Sequence, residues 1–450
     1  MKLDGQIEGK EKKGIIESMW QRIKNIYHLG NAFLANLWFG FPSRKLIVIG
    51  VTGTDGKTTT VSLIYHILHT AGYNASMISS VGAIIGGKEY DVGFHVTTPS
   101  PWALQRFISL CHPELVSGSK SPRAEMPKQV RHDNKDHYLV LEVTSHAIDQ
   151  NRIWGIPFHI GVLTNVTHEH LDYHKTYENY VKTKAKLLQM ARVAVVNRDD
   201  NSYELISNLK SQISNLKTQN FITYGMRTNA DVNPDTFPFK SNLIGEFNRY
   251  NVLAAIAACR SLGIEDETMR KSILTFKPPI GREEIIYKNP FTIMIDFAHT
   301  PNAYDAILSS IKPSIKSRLI HVFGSAGERD SSKRPLMGKA SAKYSNVIVL
   351  TAEDPRSESI EKIMNEIESG ITNSKFPAKQ DLAPRDKIQI YKIPSRQEAI
   401  TAAIEMARRG DFVLITGKSH EKSMNYGKGE EPWDEFKAVS QALSVRRDEK

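Results

Sequence analysis

A chain of 450 residues is longer than one hydrophobic core organises, so two or three domains are expected. Its 40 % hydrophobic content is that of a globular protein, and two cysteines, Cys111 and Cys259, are too few for a disulfide framework or a zinc set; with a charged start lacking a secretory apolar core, they fit a reducing cytoplasm. The formal charge of +10 favours an anionic ligand, but the basic residues are scattered and form no aromatic-basic module, which points to an acidic small molecule and away from nucleic acid.

Taken in chain order, the first feature is an apolar stretch of ten residues, Ala32 to Phe41 (AFLANLWFGF). It is far short of the ~20 residues that cross a bilayer, so it is expected to pack on the protein without stable membrane insertion, with interfacial membrane contact as the lesser alternative. Residues 45–68 then read KLIVIGVTGTDGKTTTVSLIYHIL. The run from Leu46 to Val51 suits a buried parallel strand, while Val61, Ile64, Tyr65 and Leu68 recur at helical spacing. Strand, glycine turn and helix together aim backbone N–H groups at an anion. Five residues separate Gly50 from Gly56, with Gly53 between them, so the turn is a variant of the phosphate-binding loop. A nucleoside triphosphate is the expected ligand: Lys57 and the turn Gly53, Thr54, Asp55, Gly56, Thr58 and Thr59 would surround its phosphates, and the Thr58 hydroxyl is placed for Mg²⁺.

Residues 112–136 are polar and proline-dotted without apolar period, and read as a surface insertion. The segments HYLVLEVTSHAI (137–148) and HIGVLTNVTHEHLDYH (159–174) read as strands carrying polar groups just past their carboxyl ends, where open α/β sheets bind ligands. Glu142, ending such a buried run, offers the hard oxygen that Mg²⁺ prefers. An alanine-rich helix follows in 245–264, and FKPPIGR (276–282) has the paired prolines of a linker, with Pro278, Pro279 and Gly281 as the expected hinge. Beyond it the alternation restarts in FTIMIDFAHTP, RLIHVFGSAGERD, NVIVLTAEDPRSE and DFVLITGKSHE, each an apolar strand ending in a polar loop. The expected fold is therefore α/β throughout, a central P-loop-type ATP-binding domain followed by a Rossmann-like C-terminal domain, with the cleft between them.

Ten segments in this order, TGTDGKTTT, TTPS, EVTSHAIDQNR, TNVTHEHLDYH, GEFNRYN, GREE, DFAHTP, GERDSSKRPLMG, EDPRSE and GKSHE, resemble the Mur ligase family from about Leu46 to Trp433. Members of this family use ATP to join an amino acid to a growing peptidoglycan precursor, and the last three segments resemble the branch that adds the third residue. The resemblance implies an acyl-phosphate route and a catalytic set of Lys57, Glu142, His170 and Lys184. His170 resembles the histidine at a second metal, and Lys184 matches a lysine that CO₂ carbamylates, turning a cation into a metal ligand; Thr58, Glu142, His170 and Lys184 are thus the implied metal set. Thr97, Thr98, Ser145, Gln150 and Arg152 match contacts to the UDP-linked muramoyl-dipeptide. Asn251, Arg282, Asp296 and His299 match the group around adenine, ribose and phosphate. Arg329, Asp354, Arg356, Gly417 and Glu421 match the pocket for the incoming free amino acid.

An arginine at 356 can recognise a second, distal carboxylate, which meso-diaminopimelate has and L-lysine lacks. Two departures occur there, Glu353-Asp354-Pro355-Arg356 where the family usually has Asp-Asn-Pro-Arg, and Ser419 in place of a glycine. Another lies at the front, where about 45 residues precede the ATP domain and a separate uridine-binding domain is not expected. The expected division is a short helical segment over 1–45, the ATP-binding domain over 46–279 and the amino-acid-binding domain over 280–450, in a monomer. Rival readings are another Mur-type or a folylpolyglutamate-type γ-glutamyl ligase and a nucleotide-binding protein without catalysis.

Overall fold

A computed structural model describes residues 21, 23–93, 97–112, 137–212, 220–227, 229–373 and 388–448. Two open sheets carry the fold. The first contains β1 (Leu46–Thr52), β2 (Asn74–Ser79), β3 (Gly82–Ile85), β4 (Lys88–Tyr90), β5 (His137–Glu142), β6 (Phe158–Leu163), β7 (Val193–Asn197) and β8 (Asn220–Tyr224), in the order β4-β3-β2-β5-β1-β6-β7-β8. β1 pairs in parallel with β5 on one side and β6 on the other, and only the β2–β3 and β3–β4 pairings at one edge are antiparallel.

Both faces of this sheet are covered, which explains why β1 reads as an unbroken apolar run. Leu46 and Val48 join Leu139, Leu141, Ile108 and Leu187 in one core. Ile49 and Val51 join Ile64, Leu68, Val252 and Ile256 in the other, where the alanine-rich helix Glu246–Ser261 packs on the helix Lys57–Thr70.

The second sheet contains β9 (Glu284–Tyr287), β10 (Thr292–Asp296), β11 (Leu319–Phe323), β12 (Val347–Leu350), β13 (Gln389–Lys392) and β14 (Phe412–Thr416), in the order β13-β12-β11-β14-β10-β9, with β9 alone antiparallel. Met294 packs with Tyr304 and Leu308 on one face, while Ile293 and Ile295 meet Ala399 and Ile404 on the other. The fully buried Arg396 binds Glu435 and donates to the carbonyls of Ala352 and Thr416. It thereby fastens the last helix, Glu435–Asp448, to the loops beyond β12 and β14.

The carboxyl edges of the two sheets face each other. Asp55, after β1, accepts hydrogen bonds from Thr300 Oγ1 (3.3 Å) and Asn302 Nδ2 (3.2 Å), after β10.

One expectation needs adjustment. The stretch from Ala32 to Phe41 belongs largely to a helix over 23–38, but only its small and polar residues pack inward: Ala32, Ala35 and Asn36 are buried, whereas Leu37 is 59 % and Trp38 77 % exposed. The surface insertion expected at 112–136 lies outside the described residues except for His112.

Candidate active site

The glycine turn is built from within. Gly53 and Gly56 adopt φ +154° and +80°, and a Cβ on either would collide, with the Thr164 hydroxyl or the Asn251 carboxamide respectively. The turn is then pinned from behind, because Thr54 N donates to Asn165 O (2.8 Å), Asp55 N to Asn165 Oδ1 (2.9 Å) and Thr164 Oγ1 to Asp55 O (2.7 Å). Gly56 caps the helix Lys57–Thr70 without a side-chain hydrogen bond, which leaves the first-turn N–H groups for an anion. Lys57 Nζ lies back on Thr54 O at 2.8 Å.

Beside the turn, Glu142 Oε2 accepts from Thr58 Oγ1 and from Ser80 N, both at 3.0 Å, and Arg282 Nη2 donates to Thr58 Oγ1 at 3.3 Å. A hydroxyl and a carboxylate meeting at a phosphate loop are hard oxygens of the kind that could hold Mg²⁺. No cluster of three or more His, Cys, Asp or Glu that could hold a metal occurs among the described residues. His170 stands with its ring edge-on to His146, centroids 4.9 Å apart, and burial, reinforced by His146, holds its pKa well below the usual value.

Lys184 is fully buried, donating to Gly53 O at 2.5 Å, with Nζ 4.5 Å from the Tyr180 ring centroid. Lys182 and Lys186 on the same helix, Tyr177–Met190, are exposed, so the three lysines do not form one solvated face. Burial first, then the neighbouring Lys57, drive the Lys184 pKa far below the usual lysine value.

A cleft of about 880 Å³ joins these groups to others from both sheets. Thr97, Thr98, Ser145 and Arg152 line it, and Arg152 donates to Gln150 Oε1 (2.9 Å) and Thr98 O (3.5 Å), so Gln150 supports Arg152 without lining the cleft. Asn251, Arg282, Asp296 and His299 line it as well. There the Arg282 guanidinium lies 4.3 Å from the centroid of the Phe297 ring, and Asp296 accepts from Glu283 N and Ala298 N at 2.8 and 2.7 Å. Burial pushes the Asp296 carboxyl up and takes the His299 imidazole down to about 4.

Of the second-sheet residues expected around the amino acid, Arg329 lines this cleft, whereas Asp354, Arg356, Gly417 and Glu421 do not. They form a tight loop cluster behind it. The buried Lys418 Nζ is held by both Asp354 oxygens at 2.9 Å and by Glu421 at 2.6 Å, and Arg356 donates to Gly327 O at 2.7 Å. Ser419 keeps the left-handed backbone a glycine would supply, at φ +48°, and bonds Gly281 O at 2.6 Å.

Ser80, His146, Glu169 and Lys333 escaped the sequence reading. Ser80 follows β2, an unrecognised strand. His146 sits inside the quoted TSHAI, and burial, then Arg329, lowers its pKa to about 4. Lys333, inside GERDSSKRPLMG, donates to Glu169 Oε1 (3.0 Å) and His299 O (3.1 Å), bridging the two sheets.

Two family models match this architecture, the Mur ligase middle domain over 51–259 and the Mur ligase glutamate ligase domain over 281–419. UDP-N-acetylmuramoyl-L-alanyl-D-glutamate–2,6-diaminopimelate ligase of Aquifex aeolicus is 36 % identical over 91 % of this chain and 80 % of its own. The chain belongs to the Mur ligase family. As a Mur ligase it is an ATP-dependent enzyme that forms amide bonds, and Mg²⁺ is the metal such enzymes use with ATP. A Clostridium acetobutylicum ligase of the same description is 33 % identical over 89 % of this chain and 79 % of its own. A solved structure, again of a UDP-N-acetylmuramoyl-L-alanyl-D-glutamate–2,6-diaminopimelate ligase, superposes with a TM-score of 0.55 at 27 % identity, covering 89 % of this chain and 79 % of that one. Among the described residues of this Mur ligase, no helix is long and apolar enough to cross a membrane.

Proposed function

We propose that this chain adds the third residue, meso-diaminopimelate in preference to L-lysine, to UDP-N-acetylmuramoyl-L-alanyl-D-glutamate in peptidoglycan synthesis. The observation that carries the reading is one cleft holding a phosphate turn, an acceptor end at Arg152 and a basic residue of the second sheet, Arg329. The names of the relatives, alike over most of both chains, supply the substrates.

The acceptor carboxylate, oriented by Arg152 and the Thr97–Thr98 pair, attacks the γ-phosphorus of ATP. The P–O bond to ADP breaks and an acyl phosphate forms. Lys57 leaves the Thr54 carbonyl for the triphosphate, and the helix N-terminus offsets the charge that spreads over the transferring group. The amine then attacks the acyl carbon, inorganic phosphate departs with the C–O electron pair, and the nitrogen gives up one proton as the amide forms. Thr58 and Glu142 would hold Mg²⁺, which supplies Lewis-acid stabilisation of phosphate charge when bound. Burial disfavours the charged form of Lys184, and the uncharged amine is the form that adds to CO₂, which supports the carbamylated lysine, with His170 as a further ligand.

The working division follows the sheets, 46–279 for ATP and 280–450 for the amino acid, in a cytoplasmic monomer. The experiment is to incubate purified protein with ATP, Mg²⁺ and the muramoyl-dipeptide nucleotide, offering diaminopimelate and lysine in separate reactions. A product whose mass is the sum of acceptor and diaminopimelate less one water is expected, and only when ATP is present. Failure of both amino acids alongside activity on a folate acceptor sinks the assignment.

A further inference from the structure

The helix over 23–38 is amphipathic in the inverted sense. Toward the protein it turns small and polar residues: Asn25 Nδ2 donates to Asp149 Oδ2 (3.3 Å), Asn36 Nδ2 to Trp154 O (2.8 Å), and Ala32 and Ala35 are fully buried. Toward the outside it turns Ile26, Tyr27, Leu34, Leu37 and Trp38, spaced at one helical face, and Trp102 of the helix Pro101–Leu110 extends the patch, its ring centroid 6.5 Å from that of Trp38. An apolar surface this continuous on a water-facing helix marks a docking face.

Charge decides what docks. Residues 21–45 contain no Asp or Glu and four basic residues, Arg22, Lys24, Arg44 and Lys45. Lys24, Arg44 and Lys45 are exposed, as is Arg106 one turn beyond Trp102. A second copy of the chain meeting this face about a twofold axis would set these cations against their own counterparts. An anionic bilayer surface neutralises them, admits the aliphatic side chains to the depth of the acyl boundary, and suits tryptophan at the headgroup level.

We infer that the helix over 23–38, with Trp102, is an interfacial docking face for an anionic lipid surface, on which the enzyme lies without crossing it. The inference is independent of the amino-acid specificity and of the reaction.

The test is flotation of the full chain with vesicles of phosphatidylcholine and phosphatidylglycerol at roughly 7:3, beside vesicles of phosphatidylcholine alone. Wild-type protein is expected to float with the anionic vesicles, with its tryptophan emission shifted to the blue, and to be released by high salt. Reversing Arg44 or Lys45 to Glu is expected to weaken binding about fivefold each, and Trp38→Glu at least about tenfold. ATP turnover without lipid should be unchanged in all three variants, which separates lost docking from misfolding. Protein that stays at the bottom with both vesicle types overturns the inference. So does a dimer in sedimentation velocity that Trp38→Glu dissociates, a result that assigns the face to a second copy.

Discussion

The carboxyl edges of the two sheets are made alike, buried parallel strands running into polar loops, yet they hold their charges in opposite states. After β1, Lys57 leans on a backbone carbonyl, and the first turn of its helix has no side-chain cap. After β12 and β14, Lys418 is already enclosed by Asp354 and Glu421. The first edge is prepared for a ligand that brings its own negative charge. The second is internally neutralised, so its charged loops act as a scaffold behind Arg329, and a ligand must come to terms with a finished network.

That contrast predicts that a lysine removed from the first edge harms turnover, while one removed from the second harms the fold. Lys57→Ala should cut ATP-dependent phosphate release by about 10³-fold or more, with a melting temperature close to wild type. A large loss of thermal stability in that variant would erase the distinction. Lys418→Met should behave in the opposite way, removing the buried cation that Asp354 and Glu421 share and lowering unfolding free energy by about 3–5 kcal/mol in a urea titration.

Glu283 sharpens the comparison at the seam between the regions, where it accepts from Asn248 Nδ2 at 2.7 Å and donates its own N–H to Asp296. Burial, then Asp296, raises its carboxyl to about 8 from an ordinary 4.5. The folded state therefore holds a proton that the unfolded state has released, so stability is full below about pH 4.5 and falls as pH climbs toward 8. Glu283→Gln should flatten that decline by several degrees of melting temperature between pH 5.5 and 8; parallel curves for variant and wild type would remove Glu283 as its cause. The smallest effect belongs to Gly56→Ala, which places a Cβ at φ +80° against Asn251, costs about 1–2 kcal/mol, and should raise KM for ATP more than it lowers kcat.

The contrast also explains what the chain disclosed before its structure. Strands buried on both faces, β1, β5, β6, β10, β11, β12 and β14, announce themselves as apolar runs, and the glycine turn is legible because its recognition groups lie within a few residues of one another. β13, with the sequence QIYK at a mostly exposed edge, carries no such run, and neither does β2, NASMIS, or the short β3 and β4 beside it. The run VAVVN of β7 had the right pattern and went unread. Lys333 and Glu169 meet across 164 positions of sequence, so no local spacing could pair them. The same holds for Asp354, which was noticed singly, and Lys418, which was not: their pairing depends on the loops after β12 and β14 converging.

The hydrogen bond from Lys184 to the Gly53 carbonyl has one more implication. The nitrogen that would accept CO₂ is also the peg under the nucleotide's cradle, so any acylation there must reorganise what the peg was holding. Carbon dioxide supply and nucleotide affinity would then be thermodynamically linked, each reporting on the other even when no amide is being made.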